Sequence, residues 1–496
     1  MPAIIVHDQG TIARLQAGEG ELLFTVLRDH GYQVYSPCGG KGTCGKCLVH
    51  VRGYGDVTSC RFRIETAVEV ILPLWKEARI LTDQHALTRE TNLQPGKAAK
   101  LSGQPYGLAI DLGTTTLVFY LVDLVTGTLV ETRSMLNPQA VYGHDVISRI
   151  QYATVAGGLE QLHRTIIGAI NSQSDIFLQH HHLTASDLVR TVVAGNNTML
   201  HLLLGEDPSS MGQAPYTPRF TAMQVKRSQE LGLYGHEHAE ITLLPSVSAF
   251  VGSDIVAGLG SINFSDQGNY LFTDLGTNGE LALVTPECIW CCATAAGPVF
   301  EGACISCGIG GVEGAIAVFS ESGLGVIGDE KPLGICGSGL VDVIAYLLDK
   351  GIIDPTGLME KNFEIVKGED SAMGRPIYIS PEDVRQVQLA KSAIATGIRL
   401  LLKQAGLTFE DVGAFFLAGG FGNYLNADNA MKIGLLPRQL KSKVVSLGNT
   451  SGTGALLAVK SISFLDVLNS VIKKSRRIEL SEDPDFALEF AMNMNF

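Results

Sequence analysis

The sequence predicts an α/β chain of several domains: a small β-rich unit carrying a cysteine loop, followed by a large α/β domain in two similar halves. Three observations predict it. Four cysteines fall close together, in the pattern Cys38-x5-Cys44-x2-Cys47-x12-Cys60. From residue 107 onward apolar strand-like runs alternate with helical periodicity, which indicates α/β architecture. Within that part LAIDLGTTTLVFYLVD, from residue 108, is echoed by LFTDLGTNGELALV, from residue 271.

The first unit is expected over residues 1–75. Residues 3–6 alternate weakly, as a strand does, and residues 21–29 (ELLFTVLRD) have helical spacing that stops at His30-Gly31. The glycine-rich cysteine loop follows. Then come an alternating run at 47–52, a turn at 53–56, and a last strand at 67–72 before Pro73. Residues 76–106 are polar with Pro and Gly, the composition of a linker.

The echoed segments each combine an apolar strand, the turn Asp-Leu-Gly-Thr, and a second apolar strand. They lie too far apart for a solenoid repeat and suit two halves facing each other across a cleft. The first half is expected over residues 107–255 and the second over 256–461. Residues 462–496 resemble neither half and are expected to form a C-terminal extension, a docking tail.

A chain of 496 residues suits this multidomain reading. An apolar fraction of 46% with 18% charged residues describes well-packed globular domains rather than disorder. The net charge of −13 repels phosphate backbones and argues against a nucleic-acid partner. No apolar run is long enough for a membrane span, and MPAIIVHDQG lacks the basic start and apolar core of a secretion signal. These features predict a cytoplasmic protein, where cysteines serve more often as metal ligands or buried thiols than as disulfides.

Four thiolates, Cys38, Cys44, Cys47 and Cys60, are what a [2Fe–2S] cluster requires. The glycines at 39, 40, 42 and 45 let the backbone wrap the cluster and turn N–H groups to its sulfurs. A structural zinc is a competing reading, but its ligands usually come in pairs from two knuckles, whereas three cysteines here share one loop. Free thiols are the remaining reading. Cys288, Cys291, Cys292, Cys304, Cys307 and Cys336 lie in strand-like and Gly/Ala-rich sequence. Cys288-x2-Cys291-Cys292 and Cys304-x2-Cys307 offer a second metal site, but neighbouring cysteines on a strand face opposite ways and cannot all serve one metal, so these six are read as buried small hydrophobes.

Neither a GxxxxGK[ST] loop nor a GxGxxG fingerprint follows a strand, so those phosphate-binding readings lose their support. The two Asp-Leu-Gly-Thr turns supply another. A glycine-tipped hairpin brings backbone N–H groups and hydroxyls to phosphate oxygens. Gly113, Thr114, Thr115 and Thr116 would hold the terminal phosphates, with Asp111 near Mg²⁺ through water. Asp274, Gly276, Thr277, Asn278 and Gly279 would face them. A third piece, FFLAGGFGN at 415–423, runs a buried strand into Gly419-Gly420, where absent side chains leave room for a nucleoside. Each alone reads equally well as a plain glycine turn; three in order, two of them echoing, do not. Glu280 and Asp254 are candidate metal or water-positioning carboxylates, for which a solvated or capping role is the plain alternative.

These turns resemble the superfamily of acetate and sugar kinases, heat-shock chaperones and actin. That resemblance implies a two-lobed ribonuclease-H-like (actin-type) ATPase domain, Asn196, Asn197 and Thr198 near the phosphates, and Gly337 in a Gly-rich loop at 334–342. The cysteine loop resembles plant- and vertebrate-type ferredoxins, which implies a β-grasp fold. The short interval before Cys60 departs from that pattern, so the structure between must be cut to a tight hairpin.

The whole combination resembles the reductive activators of corrinoid-dependent enzymes. It rests on CGGKGTCGKC at 38–47, DLGTTT at 111–116, AGNNTM at 194–199, GPVFEGACISCG at 297–308, ICGSGL at 335–340 and LAGGFGNYLN at 417–426. The resemblance implies ATP-dependent one-electron reduction of a Co(II) corrinoid protein to Co(I) in a methyltransferase or O-demethylase system, with an upstream electron donor. A homodimer is compatible with it. Two other classes compete: an ATP-dependent activator of a dehydratase, and a nucleotide-sensing redox adaptor that catalyses nothing.

Overall fold

The structure is a computed structural model of residues 1–496 and describes all of them except 9, 33, 35, 37, 38, 41, 43–45, 74–88, 265–267, 277, 278 and 420–424. Among the described residues no helix is long and apolar enough to cross a membrane.

The N-terminal unit begins with strands β1 (Ala3–Asp8) and β2 (Thr11–Gln16), followed by helix α1 (Leu23–Asp29). Strands β3 (Leu48–Val51), β4 (Gly55–Thr58) and β5 (Val68–Ile71) complete a sheet of order β2-β1-β5-β3-β4, in which β1 and β5 are parallel. One helix lies on this mixed sheet, the arrangement of a β-grasp. Leu23, Phe24, Val26 and Leu27 of α1 bury against Ile4, Val6, Val49, Val51 and Val70. The β2 strand does not stand out in the sequence because TIARLQ is an exposed edge with no buried face.

The next sheet comprises β6 (Tyr106–Leu112), β7 (Thr116–Asp123), β8 (Leu129–Leu136), β9 (Leu188–Gly195), β10 (Gln224–Arg227) and β11 (Glu240–Leu243), in the order β8-β7-β6-β9-β11-β10. Strands β6, β7 and β9 read as near-continuous apolar runs because helices cover both faces. Between β8 and β9 run α2 (Val146–Ala153) and α3 (Gly158–His180); α3 turns Leu162, Ile166, Ile170 and Phe177 to the sheet at helical spacing. Helix α4 (Asn197–Leu204) follows β9, and α5 (Ser253–Ser261) follows β11.

The second large sheet repeats this plan. Its strands β12 (Tyr270–Leu275), β13 (Gly279–Val284), β14 (Ile289–Thr294), β15 (Ala414–Ala418), β16 (Val444–Gly448) and β17 (Ser475–Arg477) run in the order β16-β15-β12-β13-β14-β17. In both sheets three antiparallel strands are extended by two parallel ones on the far side of the first strand. This is the duplicated actin-type fold. Helices α6 (Gly337–Asp349) and α7 (Pro381–Ala405) pack on it, with α8 (Ala427–Lys432) after β15. Ser380 and Asp383 start α7 with a reciprocal capping box.

The two lobes exchange their closing helices. Ile255 and Leu259 of α5 pack with Phe272, Ala282 and Phe416 of the second sheet. Ala455 and Val459 of α9 (Thr450–Lys460) pack with Ala109, Val118 and Val122 of the first. The two helices cross closely because glycines face them: a Cβ at Gly454 would stand 2.3 Å from the Ala257 carbonyl oxygen. The division expected between residues 255 and 256 therefore falls inside a helix shared by both lobes.

The described half of the expected linker is a packed strap. The Arg89 guanidinium donates to the Gly260 and Ile262 carbonyls at the end of α5, and the Gln94 N–H donates to the Lys460 carbonyl at the end of α9. The C-terminal residues pack on the second lobe. After α10 (Phe464–Lys474) and β17, helix α11 (Phe486–Met492) lies along α7, where Ser392, Gln388 and Lys391 donate to the carbonyls of Phe490, Met494 and Asn495.

Candidate functional site

Both Asp-Leu-Gly turns are β-hairpins at matching places, β6–β7 in one lobe and β12–β13 in the other. In the first, the Gly113 N–H donates to the Thr116 carbonyl at 3.1 Å, and a Cβ at 113 would lie 2.4 Å from that oxygen, so only glycine closes this turn. Asn196, the N-cap of α4, donates from Nδ2 to Thr114 Oγ1 at 2.8 Å. Thr115 Oγ1 donates to Glu301 Oε2 at 2.9 Å. Asn137 and Arg149 donate to the Gly113 and Thr114 carbonyls at 2.8 and 2.6 Å. Arg149 is fully buried and also donates to the Gly143 carbonyl at 2.7 Å.

Asp111 ends β6 with its carboxylate held from the opposite lobe: Ser451 Oγ donates to Oδ1 at 2.7 Å and Asn449 Nδ2 to Oδ2 at 2.8 Å. Asp254, at the start of α5, and Asp274, on β12, approach the same place. Burial pushes the Asp111 carboxyl up against the pull of its two hydrogen bonds. Burial, with the Asp111 charge adding to it, pushes Asp254 up to about 7. Burial and then the Asp254, Asp111 and Glu301 charges push Asp274 up to about 8. Carboxylates crowded out of water in this way are stabilised by a cation among them. Among the described residues no three His, Cys, Asp or Glu side chains converge to hold an ion directly.

Glu280 is buried opposite Asp274 in the β12–β13 ladder, and directly paired residues share a face of the sheet. Gly276 and Gly279 flank the second hairpin tip, while the expected Thr277 and Asn278 lie outside the described residues. Gly337 opens α6. Gly419, at φ +90°, has a use the sequence did not suggest. A Cβ there would stand 2.6 Å from Asp274 Oδ1, so the missing side chain makes room for this carboxylate. Gly420 lies outside the described residues. Asn197 is also set apart from the hairpin, for it is fully buried and its amide donates to the Phe220 and Ser248 carbonyls. Thr198 is buried beside it on α4.

Asn449, Ser451, Arg149 and Glu301 were not expected. A signal for the first two was present, since GNTSGTG at 448–454 follows an apolar strand as AGNNT does. Arg149 and Glu301 carried no such signal.

In the N-terminal unit Cys47 and Cys60 are buried side by side, and the Cys60 N–H donates to Cys47 Sγ at 3.4 Å. The β3–β4 hairpin spans the interval between them. Gly39, Gly40 and Gly42 have φ of +60°, +83° and +80°, backbone that favours glycine. Cys38 and Cys44 lie outside the described residues. Neither described cysteine is in a disulfide, and the amide turned to the Cys47 sulfur fits ligation. Of the other six, Cys291 and Cys292 are buried on opposite faces of β14, and Cys336 is buried. Cys304 is exposed and Cys288 and Cys307 are half-buried, so the buried-hydrophobe reading fails for these three.

Fold and hairpins define an actin-type ATPase unit fused to a β-grasp unit with a cysteine loop. Residues 106–267 match the family model of the RACo middle region, and residues 268–496 that of the C-terminal, ASKHA domain of RACo. The chain is 37% identical to the corrinoid activation enzyme RamQ of Eubacterium limosum, over 79% of this chain and 70% of that protein. It is 28% identical to a [Co(II) methylated amine-specific corrinoid protein] reductase of Methanosarcina barkeri, over 74% and 72%. A solved reductive activator for a corrinoid, iron–sulfur protein superposes with a TM-score of 0.73 at 28% identity, covering 100% of this chain and 98% of that one. The chain belongs to this family of reductive activators of corrinoid-dependent enzymes.

Proposed function

We propose that this protein uses ATP binding and hydrolysis to drive one-electron reduction of a corrinoid protein from Co(II) to Co(I), in a methyltransferase or O-demethylase system. One observation supports the reading: two matching Asp-Leu-Gly hairpins border a shared group of buried carboxylates in the same chain as a cysteine loop whose flanks, Gly39 and Lys46, meet the two lobes.

Cys38, Cys44, Cys47 and Cys60 would hold a [2Fe–2S] cluster, which supplies a one-electron carrier. The buried pair Cys47 and Cys60, with an amide already turned to sulfur, supports that assignment. Gly113, Thr114, Thr115 and Thr116 would take the terminal phosphates from one side, and Gly276, Thr277, Asn278 and Gly279 from the other. Asp111, Asp254 and Asp274 would hold Mg²⁺ through water, which relieves their crowding. Glu280 shares the face of the second sheet that carries Asp274. Gly337, Gly419 and Gly420 border the nucleoside side, and Asn196 fixes the first hairpin on α4.

Plant-type [2Fe–2S] centres lie near about −400 mV, and the Co(II)/Co(I) couple of the partner is expected to be lower. Each 100 mV uphill costs about 2.3 kcal/mol for one electron. Closure of the lobes on ATP is the natural source of that energy, exerted on the bound partner's state. The test mixes the reduced protein with a Co(II) corrinoid protein, with and without MgATP, and follows the Co(I) absorption. Co(I) is expected only with ATP. Equal reduction without ATP overturns the coupling, and no Co(I) with any corrinoid partner favours the adaptor reading.

A further inference from the structure

Residues 298–308 lie between the first phosphate hairpin and the cysteine loop and touch both. Glu301 accepts the Thr115 hydroxyl hydrogen bond at 2.9 Å. The next residue, Gly302, offers its carbonyl to Lys46 Nζ at 2.9 Å, and Gly308 offers its own to the same nitrogen at 3.2 Å. Lys46 directly precedes Cys47, so one side chain ties the cysteine loop to the second lobe.

The loop's other shoulder rests on the first lobe. A Cβ at Gly39 would stand 3.4 Å from the Tyr142 carbonyl oxygen. The neighbouring Gly143 carbonyl accepts from Arg149, which also holds the Thr114 carbonyl. Thr114 and Thr115 are thus each one side chain away from backbone that supports the cysteine loop. The segment between the two Lys46 acceptors is strained: Cys304 sits at φ +61°, a left-handed conformation that non-glycine residues rarely adopt. Such strain persists where the surroundings over-determine it, and it gathers at switch regions.

We propose that Glu301 and Lys46 couple nucleotide occupancy to the hold on the cysteine loop. The inference rests on the nucleotide reading of the hairpins. When the Thr115 hydroxyl turns to a terminal phosphate oxygen, Glu301 loses that hydrogen bond and faces a second anion. Like charges repel, so Glu301 withdraws and carries the Gly302 carbonyl away from Lys46. The Lys46 tie is released when a terminal phosphate is present and re-formed when it is absent. Glu301 and Lys46 are positioning residues in this scheme, for neither is asked to touch iron.

The test is hydrogen–deuterium exchange of residues 39–47 in the full chain, with Mg²⁺ plus either a non-hydrolysable ATP analogue or ADP. Binding of each nucleotide is measured separately by titration calorimetry. The analogue is expected to speed exchange about tenfold, the effect of roughly one charge-assisted hydrogen bond, and ADP to do much less. Lys46→Met should exchange fast without nucleotide, bind the analogue as the parent does, and lose the response; Lys46→Arg should keep it. Glu301→Gln, which retains an acceptor for Thr115 but no charge, should weaken the response. Bound analogue with unchanged exchange in the parent, or a parent-like response in Lys46→Met, overturns the coupling alone. Failure of the analogue to bind overturns the hairpin reading and the coupling with it.

Discussion

Asn449 Nδ2 donates to Asp111 Oδ2 at 2.8 Å, so the carboxylate at the first lobe's Asp-Leu-Gly hairpin is held by a residue of the second lobe. The same side chain caps α9, its Oδ1 accepting from the Gly452 N–H at 2.8 Å. Asn449 therefore ties the orientation of the exchanged helix to the placement of the site carboxylate.

Asn449→Ala should cost about 2 kcal/mol, roughly one cap and one hydrogen bond to a charged group. It should also weaken MgATP binding at least about tenfold, a loss of the order of that one bond. Ser451→Ala removes only the bond to Asp111 and should weaken binding with less loss of stability. Urea unfolding and titration calorimetry separate the two effects. Equal ATP affinity in Asn449→Ala and the parent would refute the cross-lobe assignment.

Arg149 is the largest fully buried side chain among the described residues, and its donors meet the carbonyls of Thr114 and Gly143 and the side chains of Gln139 and Met199. Arg149→Met fills much of the volume but leaves buried carbonyls without donors. The expected cost is about 3 kcal/mol, since each orphaned group costs about 1–3. Thr114 should also lose its fixed place, so ATP hydrolysis should fall. A variant as stable as the parent in urea would show that water replaces the guanidinium.

How legible these residues were follows from what kind of signal each leaves. Asp111 and Asp274 stood out because each ends an apolar strand at the same Asp-Leu-Gly-Thr wording, and the fold places both at equivalent hairpins. Asn449 and Ser451 sit in an uncharged Gly/Ser/Thr run that reads as a loop. Arg149 was hidden because a helical arginine is usually solvated, and only the tertiary packing of α2 against α4 buries it. Glu301 lay within a recognised motif, yet its partner Thr115 is far off in the chain and no local pattern joins them. The exchanged helices were invisible for the same reason: α5 and α9 are rich in small and apolar residues, which signals burial but not against which sheet.

His144 gives the protein an acid-sensitive point next to the backbone that supports Gly39. Burial first, then Arg149 and Lys46 against the opposing Asp145, pushes its pKa down to about 4. The native state thus takes this proton only near pH 4, while the unfolded chain takes it already near about 6.5. Acid therefore favours unfolding across that window. Full stability holds above about pH 6.5, and of the order of 3 kcal/mol is lost on the way to pH 4. His144→Gln should flatten this part of the profile. The check is urea unfolding of both proteins at pH 7, 5.5 and 4.5; parallel profiles would remove His144 from the account.

Gly419 separates backbone strain from a close approach at the site. Its φ of +90° and the 2.6 Å from a would-be Cβ to Asp274 Oδ1 both forbid a side chain. Gly406, at the end of α7, shares the positive φ (+66°) but has nothing within 4 Å. Gly406→Ala should therefore cost about 1 kcal/mol of stability, the left-handed penalty alone, with MgATP affinity unchanged. Gly419→Ala adds to that penalty a displacement of the Asp274 carboxylate and of the Leu275 carbonyl, which a Cβ would meet at 2.9 Å. It should lower MgATP affinity at least about tenfold, the scale of one lost charge-assisted contact, while far-ultraviolet circular dichroism stays as in the parent. Calorimetric titration of both variants decides the matter. If Gly419→Ala binds MgATP as Gly406→Ala does, Asp274 has no part in holding the nucleotide's metal.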